Sequence, residues 1–170
     1  MEIAVSQEKN QNLIKTLSWI LIFVSAIVLL RSIFFARGYS SMITMQRITK
    51  NFDPPIGINF TLYFIQKAVE LLLCVVVYVS SVYVLKFNKK WRKVLVYSLI
   101  TSIVYLIVSP VINYYNMPAL KIEPIGGGSY VNFSKTSVLV WSYVWSITLS
   151  AFFIFVILKL SKKEVRLLFK

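Results

Sequence analysis

Residues 94–112 of the chain read VLVYSLITSIVYLIVSPVI and contain no charged side chain. A helix needs about 20 predominantly apolar residues to cross the ~30 Å hydrocarbon core of a bilayer, and this stretch has that length and character. The segment before it, KFNKKWRK at 86–93, carries five basic side chains. A basic segment followed at once by an uninterrupted apolar run predicts a transmembrane helix that begins at the membrane surface.

Three further apolar stretches have the length to cross a bilayer, at residues 17–36, 60–85 and 136–158. Because hydrocarbon offers no water to satisfy backbone polar groups, such stretches form helices. The first stretch is longer than the apolar core of a cleaved signal peptide, and no clean cleavage site follows it, so we expect it to be retained. The sequence therefore predicts an all-α integral membrane protein, in which residues 1–170 form one membrane domain with four transmembrane helices in an up-down bundle.

The composition excludes several classes of function. Of the 170 residues, 58% are hydrophobic, and the mean hydropathy is +0.72. A soluble domain of this size could not bury so much apolar surface. The chain has one cysteine and no histidine, which excludes an intrachain disulfide, a cysteine-ligated zinc site and imidazole bases. Phosphate-binding loops, dinucleotide-binding glycine patterns and metalloprotease motifs are also absent from the sequence, so we expect a non-enzymatic protein with no cofactor and no metal.

The distribution of positive charge predicts the orientation. The net charge is +13, which in a soluble protein would suggest nucleic-acid binding. Here 12 of the basic residues lie in the N-terminal tail, the turn at 86–93 and the tail at 159–170, against 6 on the opposite side, which are Arg31 and the five basic residues of the loops at 37–59 and 113–135. Because the richer side is cytoplasmic, we expect both termini in the cytoplasm (N-in/C-in) of a cell with a bacterial inner or plasma membrane, and no nucleic-acid partner.

The two loops and the C-terminal tail carry weaker signals. Apolar residues recur at helical spacing over residues 39–51, which predicts a short separate helix on the outer leaflet. Residues 120–125 and 130–133 partly alternate around three glycines, which indicates either a hairpin or a disordered tip. In the tail, basic and apolar residues are interspersed, and we expect it to extend the fourth helix and anchor on the inner surface.

The second predicted helix carries polar side chains along one face. Their steps of four, three, four, four and three residues correspond to helical turns: Tyr63, Lys67, Glu70, Cys74, Tyr78 and Ser81. Ionisable residues in a membrane helix are costly and usually pair inside the bundle. Lys67 can pair with Glu70 at this spacing, and Arg31 of the first helix is a second candidate.

Two interpretations of this intramembrane polar cluster stay open. In the first, Arg31, Lys67 and Glu70 form a structural ion cluster that holds helices in register. In the second, Glu70 is a proton- or cation-handling carboxylate, and the stripe that continues through Tyr78 and Ser81 is part of a transport path.

Small residues predict where the helices approach one another. Serines recur every seven residues in the first helix and every four in the fourth: Ser18, Ser25, Ser32, Ser142, Ser146 and Ser150. Such residues permit close helix packing in lipid. In the third helix, Tyr97, Thr101 and Tyr105 form a similar stripe, which with the stripe of the second helix could enclose a polar pocket.

No motif identifies a family. Claudin-like proteins, tetraspanins and connexins need loop cysteines, and the small multidrug transporters need a carboxylate in the first span, none of which this chain has. The layout resembles that of small four-span bacterial membrane proteins in architecture alone. We expect an accessory or interaction component of a membrane assembly, whose partners are the lipid bilayer and another membrane protein or a second copy. The alternative is a small transporter or channel that uses the stripe around Glu70.

Overall fold

A computed structural model describes the backbone of residues 2–48, 60–116, 121–122, 131–132 and 135–169, and the side chains of residues 7–34, 62, 64–115, 136–137 and 139–169. The elements, in chain order, are α1 (Glu2–Ile48), α2 (Phe60–Leu85), α3 (Lys89–Asn116), β1 (Lys121–Ile122), β2 (Val131–Asn132), α4 (Lys135–Ser161) and α5 (Lys163–Arg166). Four of the helices, α1 to α4, are long and apolar enough to cross a membrane. The prediction of a chain built almost entirely of helices, with four that can span a bilayer, is confirmed.

The first helix is much longer than its neighbours. Its 47 residues correspond to about 70 Å at about 1.5 Å per residue, whereas the 26 to 28 residues of α2, α3 and α4 correspond to about 40 Å. The prediction of a separate short helix at 39–51 is wrong for the described part of that range, because α1 continues to Ile48. Gly38 is the only residue between 37 and 48 that disfavours a helix strongly, and one glycine costs only about 1 kcal/mol.

The helices pack in sequence order. Helix α1 packs against α2, α2 against α3, and α3 against α4. Within the described residues, α1 and α4 share no interface of comparable extent, but α5 contacts both of them. The short last helix therefore connects the two helices that lie at the ends of the series.

The apolar core lies at one end of the helices, where α2 turns into α3. It takes side chains from every helix: Ile14, Leu17, Leu21, Val77, Val84, Leu95, Leu99, Phe153, Val156, Leu160, Val165 and Phe169. We name this end the basic end and define it by residues 86–93 and 159–169, which carry nine lysine or arginine side chains. Elsewhere, many large apolar side chains on all four long helices are exposed, as expected for surfaces that lipid covers.

The turn at the basic end is tightly specified. Phe87 adopts a left-handed conformation with φ of 53°, and its backbone N–H donates to the Val84 carbonyl at 2.9 Å. Asn88 then caps α3, because its side-chain oxygen accepts hydrogen bonds from the backbone N–H groups of Lys90 at 3.0 Å and Trp91 at 3.3 Å. The Trp91 ring stacks on the Tyr83 ring with centroids 4.5 Å apart, which ties the start of α3 to the end of α2.

The C-terminal segment folds back onto the long helices. Helix α4 ends at Ser161, and Lys162, with φ −59° and ψ 139°, turns the chain before α5 begins. The expectation that the tail extends the fourth helix is therefore wrong. Its physical reason is the apolar pair Val165 and Phe169, which are 2% and 5% exposed and become part of the core only if the chain reverses.

The loop between α3 and α4 contains the predicted pairing of strands. Lys121 lies opposite Asn132 and Ile122 opposite Val131 in an antiparallel register. This pairing agrees with the predicted hairpin, and residues 123–130, which the alternative of a disordered tip concerns, lie outside the described part of the chain.

Candidate functional site

Five polar side chains of α2 and α3 meet in the half of the helices away from the basic end. They are Gln66, Lys67 and Glu70 of α2 and Tyr105 and Ser109 of α3, and we name them the α2–α3 polar cluster. Positions 66 and 70 are one helical turn apart, as are 105 and 109, so each helix presents two levels of polar groups to the other. The cluster therefore spans about one turn of the interface.

An ion pair lies at the centre of the cluster. The Lys67 Nζ atom is 2.6 Å from Oε2 of Glu70, and the two side chains are 32% and 21% exposed. A short contact between ionised groups is a charge-assisted hydrogen bond, which is stronger than one between neutral groups. The pair satisfies the carboxylate within α2 itself, so no net charge has to be placed in the apolar region.

Tyr105 links this ion pair to α3. Its hydroxyl lies 3.2 Å from the Gln66 carbonyl oxygen and 3.4 Å from Oε2 of Glu70, both of which can accept its hydrogen. Because a phenol has a single hydrogen, these two contacts share one donor. The hydroxyl is thereby held at the helix interface next to the carboxylate.

Gln66 makes the second connection between the helices. Its Nε2 donates to Oγ of Ser109 at 3.2 Å, and the residue is only 5% exposed. Its Oε1 atom is buried and has no hydrogen-bond partner. The nitrogen of the Gln66 amide is hydrogen-bonded and its oxygen is not. The contact to Ser109 is therefore important, because the helix interface already holds one unsatisfied polar atom of this side chain.

The remaining residues of the predicted intramembrane cluster differ in their exposure. Arg31 lies on α1 and is exposed, and Tyr78 is also exposed on α2. Cys74 is half-buried, whereas Ser81 is fully buried with no hydrogen-bond partner for its Oγ. The side chain of Tyr63 lies outside the described residues. The structure thus brings Lys67 and Glu70 together and places Tyr78 and Ser81 two and three turns away along the helix.

The stripe predicted on α3 does not face α2 as a unit. Tyr97 is 68% exposed, and Thr101 is exposed with its hydroxyl donating to the Tyr97 carbonyl at 3.0 Å. Two steps of four residues rotate the side-chain direction by about 80° because a helix has 3.6 residues per turn. That rotation brings Tyr105 into the interface while Tyr97 points away from it.

The predicted packing serines are mostly buried. Ser18, Ser25 and Ser32 of α1 are buried, at 2%, 5% and 5% exposure. In α4, Ser146 is buried, and Ser142 and Ser150 are half-buried. These positions are the ones at which small side chains permit close approach of helices.

Sequence reasoning missed two of the five residues of the α2–α3 polar cluster, Gln66 and Ser109. Gln66 precedes Lys67 directly and lies four residues before Glu70, so its spacing to Glu70 was a usable signal. Ser109 precedes Pro110 inside α3, where a serine is easily taken for part of a turn. Ser80, Ser98 and Ser102 are also buried, and the intervals of four and seven residues from Ser98 to Ser102 and from Ser102 to Ser109 were a further usable signal in α3.

The chemistry available at the cluster is that of a neutralised ion pair. Among the described residues, no group of three or more histidine, cysteine, aspartate or glutamate side chains is placed to hold a metal ion. The cluster supplies donors and acceptors that connect two helices. No known protein family, curated protein or solved structure matches the chain.

Proposed function

We propose that this chain is a non-enzymatic accessory or interaction component of a membrane assembly, built as an up-down bundle with both termini in the cytoplasm. The observation that carries the proposal is the 2.6 Å contact between Lys67 and Glu70. The only carboxylate in the middle of the predicted spans has a cation of its own helix as partner, which suits a structural role better than reversible proton binding.

The arrangement of charge supports the orientation. The turn after α2, the end of α4 and α5 bring their basic residues to one end, and the positive-inside rule assigns that end to the cytoplasm. With this end in the cytoplasm, α1 and α3 cross the membrane outward, and α2 and α4 cross it inward. The long α1 then extends beyond the helices it packs against and offers surface to a partner outside the bundle.

The alternative, a small transporter or channel that uses the stripe around Glu70, has one observation in its favour. Oε1 of Gln66 and Oγ of Ser81 are both buried on α2 without hydrogen-bond partners. Water would satisfy such groups, and a chain of waters along α2 would begin a conducting path.

A double-mutant cycle on Lys67 and Glu70 separates the two proposals. We expect Glu70→Gln and Lys67→Met each to destabilise the bundle, because each removes one member of a half-buried ion pair, and the double variant to recover at least about 0.5 kcal/mol. Unfolding by a denaturing detergent, followed by circular dichroism, measures all four proteins. Proton and cation flux into vesicles containing the wild-type chain is measured in parallel.

The accessory role and the transport role predict different results in these two measurements. Positive coupling with no flux supports an accessory role, and co-purification from the native membrane in mild detergent then identifies the partner. Flux that Glu70→Gln abolishes while stability is kept would establish transport and overturn the accessory proposal.

A further inference from the structure

We propose that the basic end is a binding surface for anionic phospholipid headgroups, and that it is complete only when the C-terminal segment folds back. This inference does not depend on the accessory role and needs only that the helices cross a bilayer. It concerns two segments that are far apart in sequence, the turn region 86–93 and the tail 159–169.

The two segments are joined by a buried arginine. Arg92 of α3 is 8% exposed, and its Nη1 donates to the carbonyl oxygen of Leu160, in the last turn of α4, at 3.0 Å. Its guanidinium carbon lies 5.7 Å from the centre of the Phe169 ring. The Arg92 side chain therefore contacts both the end of α4 and Phe169 of the tail. These two contacts define the position of the tail relative to α3.

An aromatic contact fixes the same arrangement from the other side. The Phe169 ring lies 5.6 Å from the ring of Phe87, which belongs to the turn between α2 and α3. Since Phe169 is buried between Phe87 and Arg92, the tail is held against the turn and does not extend away from the bundle.

This folding gathers positive charge on one surface. Seven basic side chains of the turn region and the tail are exposed: Lys86, Lys89, Lys90, Lys93, Lys162, Lys163 and Arg166. Glu164 is the only acidic residue in either segment. So many like charges repel one another, and the surface is more stable when anions lie against it.

The depth of the surface favours phospholipid as the source of those anions. Lys86 lies with Nζ 5.6 Å from the ring centre of Tyr83, and Lys159 with Nζ 5.2 Å from that of Phe155. These cations lie beside side chains at the ends of the apolar helices, and lipid phosphates lie at that level when such helices cross a bilayer. Tyr83 and Trp91 are the residue types that lie at this boundary. Basic clusters directly next to a transmembrane helix bind anionic headgroups by this geometry.

The test uses Trp91 as a reporter inside the surface. Trp19, Trp141 and Trp145 are each more than 60% exposed and are replaced by phenylalanine, which leaves Trp91 as the single tryptophan. The protein is placed in vesicles that contain phosphatidylglycerol or phosphatidylcholine with brominated chains, and quenching of Trp91 gives the relative binding constant of the two lipids. We expect a preference for phosphatidylglycerol of about fivefold or more, the contribution of one basic residue near an anionic surface.

Two matched double variants test whether the preference for phosphatidylglycerol comes from the basic end or from the overall positive charge of the chain. Lys163→Gln with Arg166→Gln removes two positive charges from the tail, and Lys9→Gln with Lys15→Gln removes two from the N-terminal part of α1. We expect the first pair to lower the preference several-fold, because the other exposed lysines of the surface remain, and the second pair to leave it nearly unchanged. Equal effects of the two pairs would overturn the proposal.

A third variant tests whether folding back is required. Phe169→Ala leaves every charge in place but removes the contacts to Phe87 and Arg92, so it is expected to lower the preference for phosphatidylglycerol several-fold. An unchanged preference in this variant would refute the claim that the folded tail completes the surface. A wild-type preference near one, or one abolished by soluble glycerol phosphate at low millimolar concentration, would also overturn binding to phospholipid in the bilayer.

Discussion

Replacing Phe169 by alanine should release the C-terminal segment while leaving the four long helices in place. The ring is 5% exposed, and burying a phenylalanine side chain contributes about 2 kcal/mol. The Arg92 guanidinium over the ring adds about 1 kcal/mol, because it is largely removed from water. The total of about 3 kcal/mol corresponds to a change of about 100-fold in the population of the detached segment.

Limited digestion with trypsin measures that population. The protease cleaves after Lys163 and Arg166 when the surrounding backbone leaves its helical turn, and cleavage follows the open population as long as opening and closing are fast. The detergent-solubilised protein is digested for increasing times, and release of the peptide that begins at Leu167 is followed by mass spectrometry. We expect release from Phe169→Ala to be about two orders of magnitude faster than from the wild type.

Leu167 provides the control, because it is a neighbouring apolar residue that is 77% exposed. Leu167→Ala should change the release rate by less than about threefold, since little burial is lost. Equal rates for Phe169→Ala and the wild type would refute the reasoning, because they would mean that the ring does not hold the tail. Equal acceleration by both variants would refute it as well, since buried contacts would then not be the cause.

The remaining predictions concern the helix interfaces and the turn. Ser109→Ala removes the hydrogen bond from the Gln66 amide to the Ser109 hydroxyl and leaves the longer contact to the Ser109 backbone carbonyl, so it should destabilise the protein by about 1 kcal/mol in detergent-induced unfolding, whereas Thr101→Ala, on an exposed face, should have little effect. Ser25→Leu forces a large side chain into a close contact of α1 and should cost about 1–3 kcal/mol in the same assay, while Ala151→Leu, exposed on α4, should be tolerated. Asn88→Ala removes the cap of α3 and should lower the unfolding free energy by about 1 kcal/mol, with Asn88→Asp restoring it; a failure of aspartate to restore stability would count against the cap as the cause.

The sequence predicts the helical framework well because the bilayer imposes simple length and polarity limits. The uncharged run at 94–112 lies within α3, and the second predicted span has the same bounds as α2. The spacing of Lys67 and Glu70 predicts a possible pair, which the 2.6 Å contact shows to be formed. These features depend on residues that are close in sequence, so local periodicity is enough to find them.

Contacts between distant residues could not be predicted in this way. Nothing in the spacing of Phe169 indicates that it lies between Phe87 and Arg92, because that arrangement requires the reversal at Lys162. The partner of Gln66 on α3 depends on the rotation of both helices about their axes, which periodicity gives only to within a residue or two. The continuity of α1 past Gly38 reflects the tolerance of a long helix for a single unfavourable residue.

The contact of α5 with α1 sets an order for assembly. The three large interfaces each join helices that are neighbours in the chain, so each can form once its second helix has entered the membrane. The contact of α5 with α1 instead joins segments more than 100 residues apart and becomes available only after residues 163–169 have been synthesised. Until then the core that includes Ile14 and Leu17 lacks its last two members, Val165 and Phe169. A chain with all four long helices inserted would still have an open core at the basic end, and closing that core would be the final step of folding.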